Sequence, residues 1–164
     1  MASLLPLIHD ILPMIMPASI AVTKAADILP PPTEPGEQDG GRPRVQVISR
    51  NAIVDKTDKM CASVLIVKPK SSSPVHHHGE QDTIIYAVSG KGVLLSHPRD
   101  EGDVPERYEL APGDFAFIPA WTEHQAVNES EDDFHLVVIR SGGQPVEVNL
   151  TDWGGSEAKG TRSP

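Results

Sequence analysis

The spacing of apolar residues changes once along the chain. Near the N-terminus, Leu4, Ile8, Ile11, Leu12 and Ile15 recur close to the interval of one helical face, and Pro6, Pro13 and Pro17 interrupt the run. This pattern predicts a short, proline-broken helix within an arm. Its apolar residues need cover, either from the rest of the same chain or from a second subunit. The segment from Pro30 to Pro43 stacks prolines and then glycines, which forbids regular structure and predicts a linker.

From Arg44 the interval becomes two. Val45–Ser49, Ala62–Val67, Thr83–Val88, Gly92–Ser96, Arg107–Leu110, Asp114–Ile118, His124–Val127, Phe134–Ile139 and Val146–Leu150 read as short strands. Turn signals separate them, among them Ser89-Gly90-Lys91-Gly92, Pro112-Gly113-Asp114 and Ser141-Gly142-Gly143. Gly90 and Gly113 are expected to supply positive φ. The reading is all-β, a sandwich or barrel, with an arm and linker over 1–43, the barrel over 44–153 and a polar tail over 154–164 that frays. Ile84, Tyr86, Val88, Phe115, Phe117, Phe134 and Trp153 are core candidates. Alternation lets either Phe115 and Phe117 or Ala116 and Ile118 line the barrel interior.

Composition narrows the functional classes. The formal charge is -9, from 14 Lys and Arg against 23 Asp and Glu, and the cations form no block. Nucleic-acid binding, which needs clustered positive charge, is therefore not expected. Cys61 is the only cysteine, so no intramolecular disulfide can form, which fits a reducing compartment. No Lys or Arg precedes the N-terminal apolar run, and His9 and Asp10 break it. A signal peptide or membrane anchor is not expected, and a cytoplasmic location is.

The chemistry concentrates in Pro74-Val75-His76-His77-His78-Gly79-Glu80-Gln81-Asp82. His76 and His78 are two apart, which places both on one face of a strand, and His77 on the other. His124 arrives from a distant strand only if a barrel closes. His9, His97 and His135 are isolated and read as surface or packing residues. Cys61 lies in an apolar strand and reads as inert core.

Two motifs resemble the cupin superfamily. The first reads His76-x-His78-x3-Asp82, with Gly90 following. The second reads Gly113-x5-Pro119-x-Trp121-x2-His124-x3-Asn128. Three positions depart from the family pattern: Lys70 and Trp121 stand where it has glycine, and Asp82 where it has glutamate. The resemblance covers roughly residues 44–150. It implies a double-stranded β-helix, a jelly-roll barrel, with a mononuclear centre ligated by His76, His78, His124 and Asp82.

Three imidazoles and a carboxylate suit a divalent Fe, Mn, Ni, Co or Zn ion with open positions. Gln81, Glu80 and Tyr86 are candidates to orient the histidines. Asp82 or Glu80 could act as general base. Tyr86, Phe115, Phe117 and Trp121 are candidate substrate-pocket residues. The resemblance implies a metal-dependent enzyme acting on a small, aromatic or enolic molecule, with dioxygenase-type oxidoreductase chemistry. Lyase, decarboxylase or isomerase chemistry is the alternative, as is a non-catalytic binding module. A homodimer is expected.

Overall fold

The computed structural model describes residues 19–28, 46–97, 100 and 104–158. The helix expected over Leu4–Ile15, the linker and the last tail residues lie outside them. One four-residue helical turn, α1 (Ala25–Ile28), lies beside the first strand, and Thr23 Oγ1 donates to the Ala52 carbonyl at 2.6 Å. No helix among the described residues is long and apolar enough to cross a membrane.

The strands are β1 (Val47–Ile53), β2 (Met60–Val67), β3 (Ser71–Ser72), β4 (His76–His77), β5 (Thr83–Ser89), β6 (Gly92–Ser96), β7 (Glu106–Leu110), β8 (Phe115–Ile118), β9 (His124–Asn128), β10 (Phe134–Ser141) and β11 (Val148–Asn149). One sheet runs β1-β2-β10-β5-β8, the other β11-β4-β9-β6-β7, with β3 also paired to β9. All named pairs are antiparallel. The chain crosses between sheets repeatedly, which is the double-stranded β-helix. Each predicted strand is present; of the two short additions, β3 precedes the histidine stretch and β4 contains its first two histidines.

The core lies between the sheets. Val67, Ile85, Ala87, Leu94, Leu110, Ile118, Ala126, Phe134, Leu136 and Val138 form one buried cluster. Phe134 is fully buried against Gly92, where a Cβ would come within 2.2 Å of its ring. Gly90 turns β5 into β6 with φ +74, and a Cβ there would lie 2.2 Å from the Asp133 carbonyl oxygen. Gly113 has φ +98, as its turn requires.

The parity of β5 and β8 corrects the predicted core. Thr83, Ile85 and Ala87 point inward, so Ile84 and Val88 face out and are exposed. In β8, Ile118 is buried and Ala116 packs against the core, whereas Phe115 and Phe117 are 69% and 62% exposed. Both runs are apolar on both faces, so hydrophobicity could not choose between them. Part of the predicted loose tail is held: Leu150 bridges Glu157, and Ala158 N donates to the Asn149 carbonyl at 2.7 Å.

Candidate metal centre

His76 lies in β4 directly opposite His124 in β9. His78 follows β4 by one residue, before the turn at Gly79, φ +58. Ring centroids are 4.3 Å apart for His76 and His124, 4.6 Å for His78 and His124, and 5.1 Å for His76 and His78. All three rings are buried. One potential ligand atom from each lies within 4.8 Å of the others. That is the scale of a site in which one ion takes bonds of about 2.1 Å to imidazole nitrogen.

The hydrogen bonds determine which nitrogens point inward. His76 Nδ1 lies 2.8 Å from the Pro74 carbonyl and His124 Nδ1 lies 2.9 Å from the Thr122 carbonyl. A carbonyl only accepts, so both Nδ1 atoms carry the proton and both Nε2 atoms keep a lone pair. His78 Nε2 lies 3.1 Å from Arg140 Nη2, and a guanidinium only donates. His78 Nδ1 therefore carries its proton and donates it to Thr83 Oγ1 at 2.7 Å. Three Nε2 lone pairs result, each imidazole oriented through its other nitrogen.

Electrostatics keep these rings neutral. Burial, then the Arg140 charge, pushes His78 down to about 2. Burial, then His76, pushes His124 down to about 3. His76 is lowered by burial as well. Neutral imidazoles are the form a metal ion requires, so the donor chemistry fits a divalent ion.

Asp82 does not join this group. It is exposed, and its Oδ1 accepts from Ala120 N at 3.0 Å, tying the first motif to the loop before His124. The Gly79 turn shifts the alternation, and Thr83 is the next residue to face the histidines. Glu80 is exposed on the turn. Gln81 is buried but faces the β10–β11 connection: its amide donates to the Ser141 and Gln144 carbonyls, and Oε1 accepts from Val146 N at 2.7 Å. Of the orienting groups, Thr83 takes the place expected of Gln81, Glu80 or Tyr86.

A cavity of about 210 Å³ holds the three histidines together with Ser49, Leu65, Arg140 and Glu147. Tyr86, Phe115, Phe117 and Trp121 do not line it. Phe115 and Phe117 line a second cavity of about 470 Å³ at the β7–β8 side, which shares Leu94 and His124 with the first. Tyr86 packs against Phe115 on the outer face, the rings tilted by 42° with centroids 4.7 Å apart. Trp121 is 62% exposed and lies near His77, ring centroids 5.5 Å apart.

Arg140 was not anticipated. It is 6% exposed at the end of β10, where Phe134, Leu136 and Val138 share its inward parity. That alternation was the available signal. Nη2 lies 3.8 Å from Glu147 Oε2, and Nε is buried without a hydrogen-bond partner.

Comparisons with known proteins agree with this architecture. The family model for the cupin domain matches residues 63–140. An uncharacterized protein of Aquifex aeolicus is 31% identical over 117 residues, 70% of this chain and 86% of the relative. The chain belongs to the cupin superfamily. Among solved structures, a double-stranded β-helix protein from Klebsiella pneumoniae superposes with a TM-score of 0.56 at 19% identity, over 68% of this chain and 90% of that one. An oxalate oxidase bound to the substrate analogue glycolate gives 0.55 at 16% identity, over 64% of this chain. A Bacillus subtilis oxalate decarboxylase with Mn(II) centres gives 0.58 at 16%, over 66% of this chain. This chain spans 55% of the oxalate oxidase chain and 29% of the decarboxylase chain. At these identities the likeness is one of fold.

Proposed function

We propose that this cupin is a mononuclear metal-dependent enzyme acting on a small organic substrate, with dioxygenase-type oxidoreductase chemistry. The observation that carries the reading is the convergence of His76, His78 and His124, each with Nδ1 anchored and Nε2 turned inward. Bound there, a divalent ion would supply Lewis acidity and open positions for substrate or dioxygen. Apolar Leu65, Ile85, Leu94 and Val138 restrict water around the rings, and a cavity of about 210 Å³ limits substrate size. Trp121, Phe115 and Phe117 do not line this cavity, but Phe115 and Phe117 share the larger cavity of about 470 Å³ with His124, so the substrate class stays a small aromatic, enolic or acidic molecule. The exposed apolar face of Ile84, Val88, Phe115 and Phe117 supports a homodimer.

A second reading is a metal-free ligand-binding module. Arg140 supports it, because its donor already occupies the His78 Nε2 lone pair. Metal analysis of protein purified without a polyhistidine tag separates the two. The enzyme reading expects about one divalent ion per chain, and oxygen consumption after anaerobic Fe(II) loading with a panel of enols and hydroxy acids. Absence of bound metal after loading with Fe(II), Mn(II), Ni(II), Co(II) and Zn(II) would leave the binding module standing.

A further inference from the structure

The buried guanidinium at the centre is incompletely partnered: its ion pair with Glu147 is long, and one of its donors is unfilled. Arg140 Nε has no hydrogen bond, and the Glu147 carboxylate, itself 44% exposed, stands 3.8 Å from Nη2 and outside hydrogen-bond reach. Its one close contact at the centre is the lone pair of His78 Nε2, at 3.1 Å. A buried cation needs an anion and filled donors. An ion on His78 Nε2 requires the same lone pair and adds positive charge beside the guanidinium. Arg140 must then leave the lone pair, and its donors need an acceptor within a cavity of about 210 Å³. A planar fork of N–H groups matches a carboxylate in bidentate fashion. Glu147, on the cavity wall, repels a second negative group, which favours one carboxylate beside a neutral or metal-binding oxygen.

We propose that Arg140 is the anchor for a small carboxylate substrate, and that this carboxylate and the metal ion bind cooperatively by drawing Arg140 off His78. This rests on the metal-centre reading above and adds a substrate class to it. An ion entering alone displaces Arg140 and strands it. A carboxylate entering with it gives the displaced guanidinium a partner. Each ligand therefore strengthens the other through one side chain with two positions, and the coupling is reciprocal.

The test is Co(II) titration of the full-length protein, read by its visible absorption and by calorimetry, with and without saturating glycolate. For wild type, glycolate tightens Co(II) binding by roughly tenfold. In Arg140→Met, Co(II) alone binds more tightly than to wild type, because nothing competes for His78, and the glycolate effect shrinks to that of direct ligation. Arg140→Lys keeps the charge without the fork, and shows an intermediate effect; it also serves if the Met variant folds poorly, which circular dichroism reports. An unchanged glycolate effect in both variants, with Co(II) still bound, would overturn the Arg140 assignment and leave the metal centre intact. Failure of wild type to bind Co(II) under any condition would remove the metal centre, and this proposal with it.

Discussion

His76 and His124 face each other across the β4–β9 ladder, so the closest pair of rings at the centre is set by backbone register. Fixed register holds both imidazoles without help from an ion, and a site so arranged pays little to bind one. Truncating either removes one of three donors. His124→Ala is expected to weaken binding of Mn(II) or Co(II) by more than roughly a hundredfold, beyond the range seen for outer-sphere partners. Calorimetry checks it, with circular dichroism confirming an intact fold.

Thr83 controls the third ring. Its hydroxyl is fully buried and accepts the His78 Nδ1 proton at 2.7 Å. Thr83→Val keeps the shape and removes the acceptor, leaving a buried N–H unpaired. The expected loss is about 1–3 kcal/mol of stability and roughly 10–100-fold in metal affinity. Thr83→Ser, which restores the hydroxyl, should recover most of the affinity. Urea denaturation and metal titration read the two effects separately.

Asp82 gives the opposite expectation. Its carboxylate holds the Ala120 amide at 3.0 Å and lies outside the histidine cluster. Asp82→Ala should lower stability by about 1 kcal/mol, the net worth of such a bond. Metal affinity should stay within about threefold, less than the change expected of an orienting partner. Loss of the ion in this variant would place the carboxylate in the coordination sphere after all.

How far the sequence could be read follows from which residues carry direction. His76 and His78 were placed together by parity, and the barrel then delivered His124. Thr83 and Asp82 differ by one position, and a single turn at Gly79 with φ +58 decides which faces the rings. No periodicity argument spans that turn. Phe115, Phe117, Ile84 and Val88 sit in strands apolar on both faces, where alternation carries no information. Arg140 could have been found: it continues the inward series Phe134, Leu136, Val138, and a charge on a core face is informative.

Acid should destabilise the metal-free protein through these rings. The unfolded chain has histidines near 6.5, whereas the folded protein holds His124 down to about 3 and His78 down to about 2, with His76 also lowered. Below pH 6.5 the unfolded state takes up protons the fold refuses. The stability conferred by neutral rings is thus complete above about pH 6.5 and is lost as pH falls towards the folded values. His78 and His124 together give a slope approaching about 2.7 kcal/mol per pH unit below roughly pH 5.5, and His76, also lowered, acts in the same direction. Urea midpoints measured from pH 8 to 5 in the presence of a chelator check this, and His124→Gln should flatten the slope by about 1.4 kcal/mol per pH unit, the contribution of one group. Bound metal should hold the midpoint up to lower pH, since protons and the ion compete for the same nitrogens.

Trp121 offers a test of strain inherited from the family pattern. It stands at a glycine position and keeps the left-handed backbone, φ 63; Lys70, at the other replaced glycine, has φ 55. The left-handed conformation costs a residue with a Cβ roughly 1–2 kcal/mol, and glycine adopts it freely. The Trp121 amide donates to the Gly79 carbonyl at 2.8 Å, so the conformation joins the two motif turns and cannot relax without breaking that bond. Trp121→Ala loses the indole and keeps the strain; Trp121→Gly loses both. The Gly variant should therefore be more stable than the Ala variant by about 1 kcal/mol, after subtracting the extra chain entropy of glycine. Metal affinity should be equal in the two, because the indole is outside the histidine cavity. Thermal denaturation of the pair isolates the backbone effect, and an Ala variant as stable as the Gly variant would mean the turn carries no such strain.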